Sequence, residues 1–280
     1  MNYKMVVLDL DGTLLNDDKK ISPMSIKVLE ALREKNIEIV VATGRRYRFA
    51  RSLFESTGFP ITVLSSGGTL VRNTGEDKKL LSRYIDSQHF QDVIRIGREL
   101  SLFPVLHVDK YEEECDFLLE FEKESPCYSS YITGSVRECR IVGDFLKYRD
   151  CDVLLMCYMG GEEALESFEA RIRERHGRRL NTHIMTTLKR IGPVLEIMNP
   201  LGNKWHSLAD YAGSINISPR EIVALGDDNN DIEMIKNAGL GIAMKNATEK
   251  VKAAADFTSR HTNNEDGVAL ALAKLFSLKI

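Results

Sequence analysis

The chain has 280 residues, a formal net charge of −3 and 43% hydrophobic residues, enough apolar mass for one large domain or two ordinary ones. Charges of both signs are mixed throughout, which excludes the electrostatic footprint of a nucleic-acid or anionic-membrane binder, and no run approaches the roughly 20 apolar residues of a membrane span. The first apolar run is broken by Asp9 and too short for a signal-peptide core, so the expectation is a cytoplasmic protein that acts on a small molecule, with no protein partner inferred.

In chain order, residues 4–10 form an apolar run of the kind expected of a strand buried on both faces of a parallel sheet. Ser22 and Pro23 then signal a helix start, and SIKVLEALREKN continues with apolar residues at Ile26, Leu29 and Leu32. IEIVVAT (37–43) predicts a second strand, RYRFARSLFEST a second helix and PITVLSS (60–66) a third strand. The rhythm returns late: VLEIM (194–198), a helix from about Lys204, EIVALGD (221–227), a helix from about Asp231, GLGIAM (239–244) and helices in the remainder. The fold class expected is α/β, a doubly wound, Rossmann-like parallel-sheet core built from residues 1–83 and 191–280. Residues 84–190 alternate differently and predict an inserted α/β domain, since a long insertion leaves a closed core intact at modest entropic cost. There, QHFQDVIRIGREL and GEEALESFEARIRERHG predict helices, the latter stopped by Gly177. LFPVLHVD and CDVLLMCYM predict strands, and EEECDFLLEFEKE an acidic helical or loop stretch. The acidic stretch at 112–124 and the basic RIRERHGRR are expected to be solvated faces. Five cysteines (Cys115, Cys127, Cys139, Cys151, Cys157) without a C-x-x-C predict reduced thiols.

Chemistry concentrates at strand ends. Asp9 and Asp11 lie at the carboxyl end of the first strand, where open α/β sheets place their ligands, and their two-residue spacing predicts side chains pointing the same way. Two ionised carboxylates about 6 Å apart would repel by roughly 3 kcal/mol at an effective dielectric near 20, so a divalent cation or a shared proton must offset the repulsion. Asp-Gly is also an ordinary turn. GDDNND (226–231) again puts acids at a strand's carboxyl end, so Asp227 and Asp231 can join Asp9 and Asp11 around one oxygen-ligated ion, which suits Mg²⁺. In ATGR (42–45), Thr43 offers a hydroxyl and Gly44 an unobstructed N–H just before a helix, where an anion can be held. Lys204 adds a point charge at another helix start.

In this order, DLDGTL, the threonine of ATGR, the lysine of GNK and GDDNND resemble the four motifs of the haloacid dehalogenase superfamily of phosphohydrolases. The position of the insert, with GLGIAMKNA and NNEDGVA, resembles the Cof-type subfamily of sugar-phosphate and related phosphatases. The resemblance implies a Mg²⁺-dependent phosphatase whose inserted cap closes over a small phosphorylated metabolite and sets specificity. Asp9 would be the nucleophile and Asp11 the general acid and base, its pKa raised by its neighbour. Mg²⁺ would be held by Asp9, the Asp11 carbonyl and Asp227, with Asp231 behind them, while Leu10, Thr43, Gly44, Lys204 and Asn230 would contact the phosphoryl oxygens. The chain departs from the subfamily pattern at SSGG (65–68) and at Trp205, where a glycine is common. A phosphotransferase using the same aspartyl phosphate, and a receiver-type signalling domain, are the alternatives; receivers lack both the insert and an acidic pair of this spacing. Six histidines show no zinc-binding spacing, and no nucleotide-binding glycine motif follows the first strand. Asn246-Ala-Thr is formally a glycosylation acceptor, Arg45 and Arg46 either reach substrate or start a helix, and Thr262 and Asn263 fall on a loop facing the site.

Overall fold

The computed structural model describes residues 3–120, 131–132, 138–185 and 191–279. It consists of two compact units, one built from the segments up to Leu81 and from Asn203 onward, the other from Ser82–Gly202.

In chain order, the first unit begins with β1 (Met5–Leu8), α1 (Pro23–Glu34), β2 (Glu38–Ala42), α2 (Tyr47–Leu53), β3 (Thr62–Ser65), β4 (Leu70–Asn73) and β5 (Lys78–Ser82). The second unit contains α3 (Ser87–Glu99), β6 (Pro104–Lys110), β7 (Cys115–Leu119), β8 (Cys139–Ile141), β9 (Val153–Met159), α4 (Glu162–His176), β10 (Asn181–Met185) and β11 (Val194–Met198). The chain returns to the first with α5 (Lys204–Ser214), β12 (Ile222–Gly226), α6 (Ile232–Asn237), β13 (Leu240–Ala243), α7 (Glu249–Ala254), β14 (Phe257–Thr258) and α8 (Gly267–Phe276). The start of α1 is as the sequence predicts: the Ser22 hydroxyl accepts from Ser25 N–H at 3.0 Å, and Pro23 occupies the first turn.

The first unit's sheet runs β14-β13-β12-β1-β2-β3-β4-β5. Strands from β14 through β3 pair in parallel, and β4 turns back antiparallel on β3. β1 is buried throughout, as a strand covered on both faces must be. β1 lies between β2 and β12 with the strand order reversing at that point, which is where doubly wound sheets open a crevice at their carboxyl edge.

The second unit's sheet runs β10-β11-β9-β6-β7-β8. Phe90, Val93 and Ile94 of α3 and Leu165, Phe168 and Ile172 of α4 pack against Leu106, Met156, Tyr158 and Leu195, giving this unit its own core. Two expectations are corrected here. Cys115–Leu119 is a fully buried strand rather than an acidic helix or loop; pairing with β6 and β8 overrides the helical bias of the flanking glutamates. The rest of that stretch, 121–124, lies outside the described residues. Val194–Met198, expected as a strand of the core, pairs antiparallel with β9 and β10 in the second sheet, because a short apolar run does not encode which sheet it joins. The expected junction at 190 lies outside the described residues. Cys115, Cys139, Cys151 and Cys157 are free thiols; Cys127 lies outside the described residues. Among the described residues no helix is long and apolar enough to cross a membrane.

Candidate active site

Strand register assembles the site. Leu8 of β1 is level with Val41 of β2 and with Leu225 of β12, so Thr43, Asp9 and Asp227 leave the carboxyl edge side by side. Asp9 N–H donates to Leu225 O at 3.0 Å, fixing that alignment one residue beyond β1. The chain then turns through Leu10–Leu15, with Leu14 N–H on Asp9 O and Leu15 N–H on Leu10 O. Because β1 ends at Leu8, strand alternation does not govern Asp9 and Asp11, and the expected shared direction is replaced by two separate surroundings.

Asp9 is buried, and its Oδ1 accepts from Lys204 Nζ at 2.6 Å. The same ammonium donates to Asp231 Oδ1 at 2.6 Å. Asp231 Oδ2 accepts the N–H groups of Asp227 and Asp228 at 3.0 and 3.1 Å, tying the GDDNND turn together. The Thr13 hydroxyl donates to Asp227 Oδ1 at 2.8 Å. Carboxylate oxygens of Asp9, Asp227 and Asp231 all lie within 4.8 Å of one another. Gly12 makes room for this: its φ is +80°, and a Cβ there would fall 2.2 Å from Asp227 Oδ2.

Asp11 stands in a different environment, its side chain 37% exposed. Arg45 grips it through Nε and Nη2, the latter at 2.6 Å, and Lys19 Nζ donates to it at 2.8 Å. Burial works against its ionisation, but the hydrogen bonds and charges of Arg45 and Lys19 outweigh it and hold its pKa below the usual carboxylate value. The expected rise is therefore corrected: its partners are cations, not a second acid. Burial pushes Asp9 well above the ordinary value, against the pull of Lys204 and helped by Asp231 and Asp227. Burial likewise lifts Asp227 to about 7, with Thr13 opposing and Asp231 and Asp228 adding to the rise. Lys204 is lowered by its burial but pushed up on balance by Asp231 and Asp9, the two carboxylates it donates to.

Three clustered carboxylates against one ammonium leave negative charge in a buried place, with oxygen donors only. That donor set fits a hard divalent cation, which would lower the carboxylate pKa values that burial has raised.

The other expected residues are placed unevenly. Thr43 is buried just past β2, its hydroxyl accepting from Arg45 N–H at 3.1 Å, while Gly44 is exposed with open space around it. Leu10 is fully buried in the turn. Asn230 is exposed on the turn Asn229–Asp231, and among the described residues no hydrogen bond joins it to the carboxylates. SSGG builds the floor beneath Lys204: Ser66, Gly67 and Gly68 all have positive φ, and Ser207 Oγ donates to Gly68 O at 2.6 Å. Sequence reasoning missed Lys19, which belongs to no motif, and set aside Asn246. Its amide donates to Gly12 O at 2.7 Å and accepts from Asn263 N–H at 3.1 Å, so it buttresses the Asp11–Thr13 turn.

A buried carboxylate at a strand end, a lysine shared between two acids and a cluster of acidic oxygens that could hold a cation mark this edge of the doubly wound sheet as the candidate site. Residues 6–272 match the haloacid dehalogenase-like hydrolase family, and the chain belongs to it. A 5-amino-6-(5-phospho-D-ribitylamino)uracil phosphatase of Bacillus subtilis is 29% identical, with 98% of both chains covered. A phosphoglycolate phosphatase of Methanoculleus marisnigri is 26% identical over 98% of this chain and 97% of its own. The crystal structure of a haloacid dehalogenase-like hydrolase from Bacteroides thetaiotaomicron, 29% identical, superposes with a TM-score of 0.82 over 98% of this chain and 100% of that one.

Proposed function

We propose that the chain is a Mg²⁺-dependent phosphatase that hydrolyses a small phosphomonoester, such as a sugar phosphate, through an aspartyl phosphate on Asp9. The carrying observation is the position of Asp9, aligned by β1 and held by Lys204 beside Asp227 and Asp231.

An Asp9 carboxylate oxygen attacks phosphorus in line with the leaving alcohol; the new O–P bond forms as the ester P–O bond breaks. Asp11 delivers a proton to the departing alkoxide. In the second half, Asp11 takes a proton from water, the hydroxide attacks phosphorus, and the Asp9–phosphate bond breaks, returning the free carboxylate and orthophosphate. Arg45 and Lys19 occupy Asp11 in the state described, so both must slacken for it to carry a proton. Lys204, the Thr43 hydroxyl, the Leu10 and Gly44 N–H groups and Asn230 orient the phosphoryl oxygens and balance their charge. Mg²⁺ would be held by Asp9, Asp227 and the Asp11 carbonyl, with Asp231 orienting them, and when bound it supplies neutralisation of the transferring group. Relatives of similar identity are named for leaving groups as unlike as a ribitylaminouracil and glycolate. Apart from Asp11, which gives the leaving oxygen its proton whatever its substituent, the site residues named here serve the phosphoryl end, so choice of leaving group is assigned to the insert.

The experiment is Mg²⁺-dependent phosphate release from a panel of sugar, nucleotide and cofactor phosphates, with Asp9→Asn in parallel. Release by the wild type and at least about 10³-fold less by the variant is expected; equal release by both would refute the nucleophile, and transfer to a second hydroxyl in place of release would make the enzyme a transferase.

A further inference from the structure

The basic run RIRERHGRR (171–179), which in the sequence reads as a solvated face, ends against α3 and helps enclose a cavity of about 370 Å³. Its walls carry Arg175, His176 and Arg179 from the end of α4 and the turn after it, and His89, Asp92 and Arg95 from α3. All belong to the second unit, and none is a residue of the Asp9 cluster. The volume is that of a small-metabolite site.

Three arginines face one carboxylate, and that carboxylate is occupied. Asp92 accepts from Arg175 through Nε and Nη2, the latter at 2.8 Å. Arg95 and Arg179 are exposed and, among the described residues, make no ion pair. His176 lines the same cavity, its side chain only 5% exposed. Its Nε2 is 3.1 Å from Asp92 Oδ2, yet the geometry gives it no hydrogen bond. The ring meets His89 edge-on, centroids 5.0 Å apart.

Compensation of the helix dipole accounts for Arg175 in the last turn of α4. It does not account for Arg95 on the neighbouring helix, nor for a buried imidazole whose Nε2 makes no hydrogen bond although Asp92, already held by Arg175, is its one nearby carboxylate among the described residues. Burial first pushes the His176 pKa below the usual histidine value; Asp92 opposes this, and His89, Arg175 and Arg179 add to it. The first turn of α3, a helix of 13 residues, also opens on the cavity through His89 and brings its positive end.

We propose that this cavity is a second anion site, which takes the phosphate group of a small metabolite between Arg95 and Arg179 with His89 and His176 as further donors. Guanidinium groups recognise phosphate bidentately, and the volume suits one small phosphorylated molecule.

Histidine-ring NMR on the full chain tests it, in an Asp9→Asn background so that an organic phosphate survives, with assignments from His89→Gln and His176→Gln. Titration with orthophosphate, and separately with glycerol phosphate, is expected to shift the His89 and His176 resonances saturably. Tighter binding of glycerol phosphate identifies a phosphorylated metabolite, and equal binding identifies free phosphate as the ligand. The exposed pair Arg95→Gln/Arg179→Gln is expected to weaken that binding roughly tenfold or more, with an unchanged melting temperature. No saturable shift in either arm, or a shift that survives the double substitution undiminished, overturns the site.

Discussion

At the scale of the residue, Asp9 and Asp11 are near-identical in the string DLDGT but sit in opposite fields. Asp9 faces two other acids and one ammonium in a buried setting, which raises its pKa; Asp11 faces two cations in a half-exposed one, which lowers it. Which acid meets which field depends on Lys204, Asp227, Lys19 and Arg45, two of them about two hundred residues distant, so local spacing could not have distinguished them. The Asp11 assignment has a direct consequence for pH dependence. Removing Arg45 removes a hydrogen bond and a positive charge from the ionised form, so the Asp11 pKa rises. Arg45→Ala is therefore expected to move the acid–base limb of the kcat profile governed by Asp11 to higher pH. An unmoved limb would show that Arg45 has left Asp11 by the time chemistry occurs.

At the scale of the element, the parts legible in the sequence were those with local causes. The Ser22 cap and Pro23 set the start of α1, and the buried β1 and β12 follow from uninterrupted apolar runs. The motifs at their carboxyl ends could be placed once the strands were. β7 was not legible, and β11 was legible as a strand but not in the sheet it joins, because in both cases the deciding interaction is with partner strands distant in sequence. The SSGG turn is intermediate: its departure from the family pattern was visible, its purpose was not. Gly68 has φ +97°, and a Cβ there would come 2.4 Å from Asn203 O, the cap residue of α5 and neighbour of Lys204. Gly68→Ala is expected to cost more than about 1 kcal/mol of stability and to lower kcat about tenfold or more by displacing Lys204. Kinetics beside denaturant unfolding would check this; a loss of activity explained by the unfolded fraction alone would count against the positioning role.

At the scale of the whole molecule, the unpaired charge of the site bears on stability. With Asp227 lifted to about 7 from 3.8 and Asp9 raised as well, the metal-free folded state binds more protons than the unfolded state across that window. Stability then falls as pH rises from about 4 to about 7, by ~1–2 kcal/mol after solvent screening. Mg²⁺ takes up the ionised carboxylates and should shrink the fall, which urea midpoints with and without Mg²⁺ would record; a metal-free midpoint that climbs over this range would contradict the reading. The second unit, with its own sheet and core, should also stand alone. Residues 82–202 expressed separately are expected to melt cooperatively, and a chain without a cooperative transition would show that its core is incomplete without the rest.

The sequence by itself determined the local periodicities, the helix starts and the residue types at the strand ends, because each rests on neighbours within a few positions. From these came the doubly wound core, together with the expectation of an insert and of a site built on the acids at the strand ends. Only the tertiary structure decided that Asp231 shares Lys204 with Asp9, that Asp11 is held by Arg45 and Lys19, that Asn246 braces Gly12, and that Val194–Met198 belongs to the second sheet. Each of these depends on a partner brought close by strand register and chain return, and a pairing at long range leaves no periodic trace in either of the segments it joins.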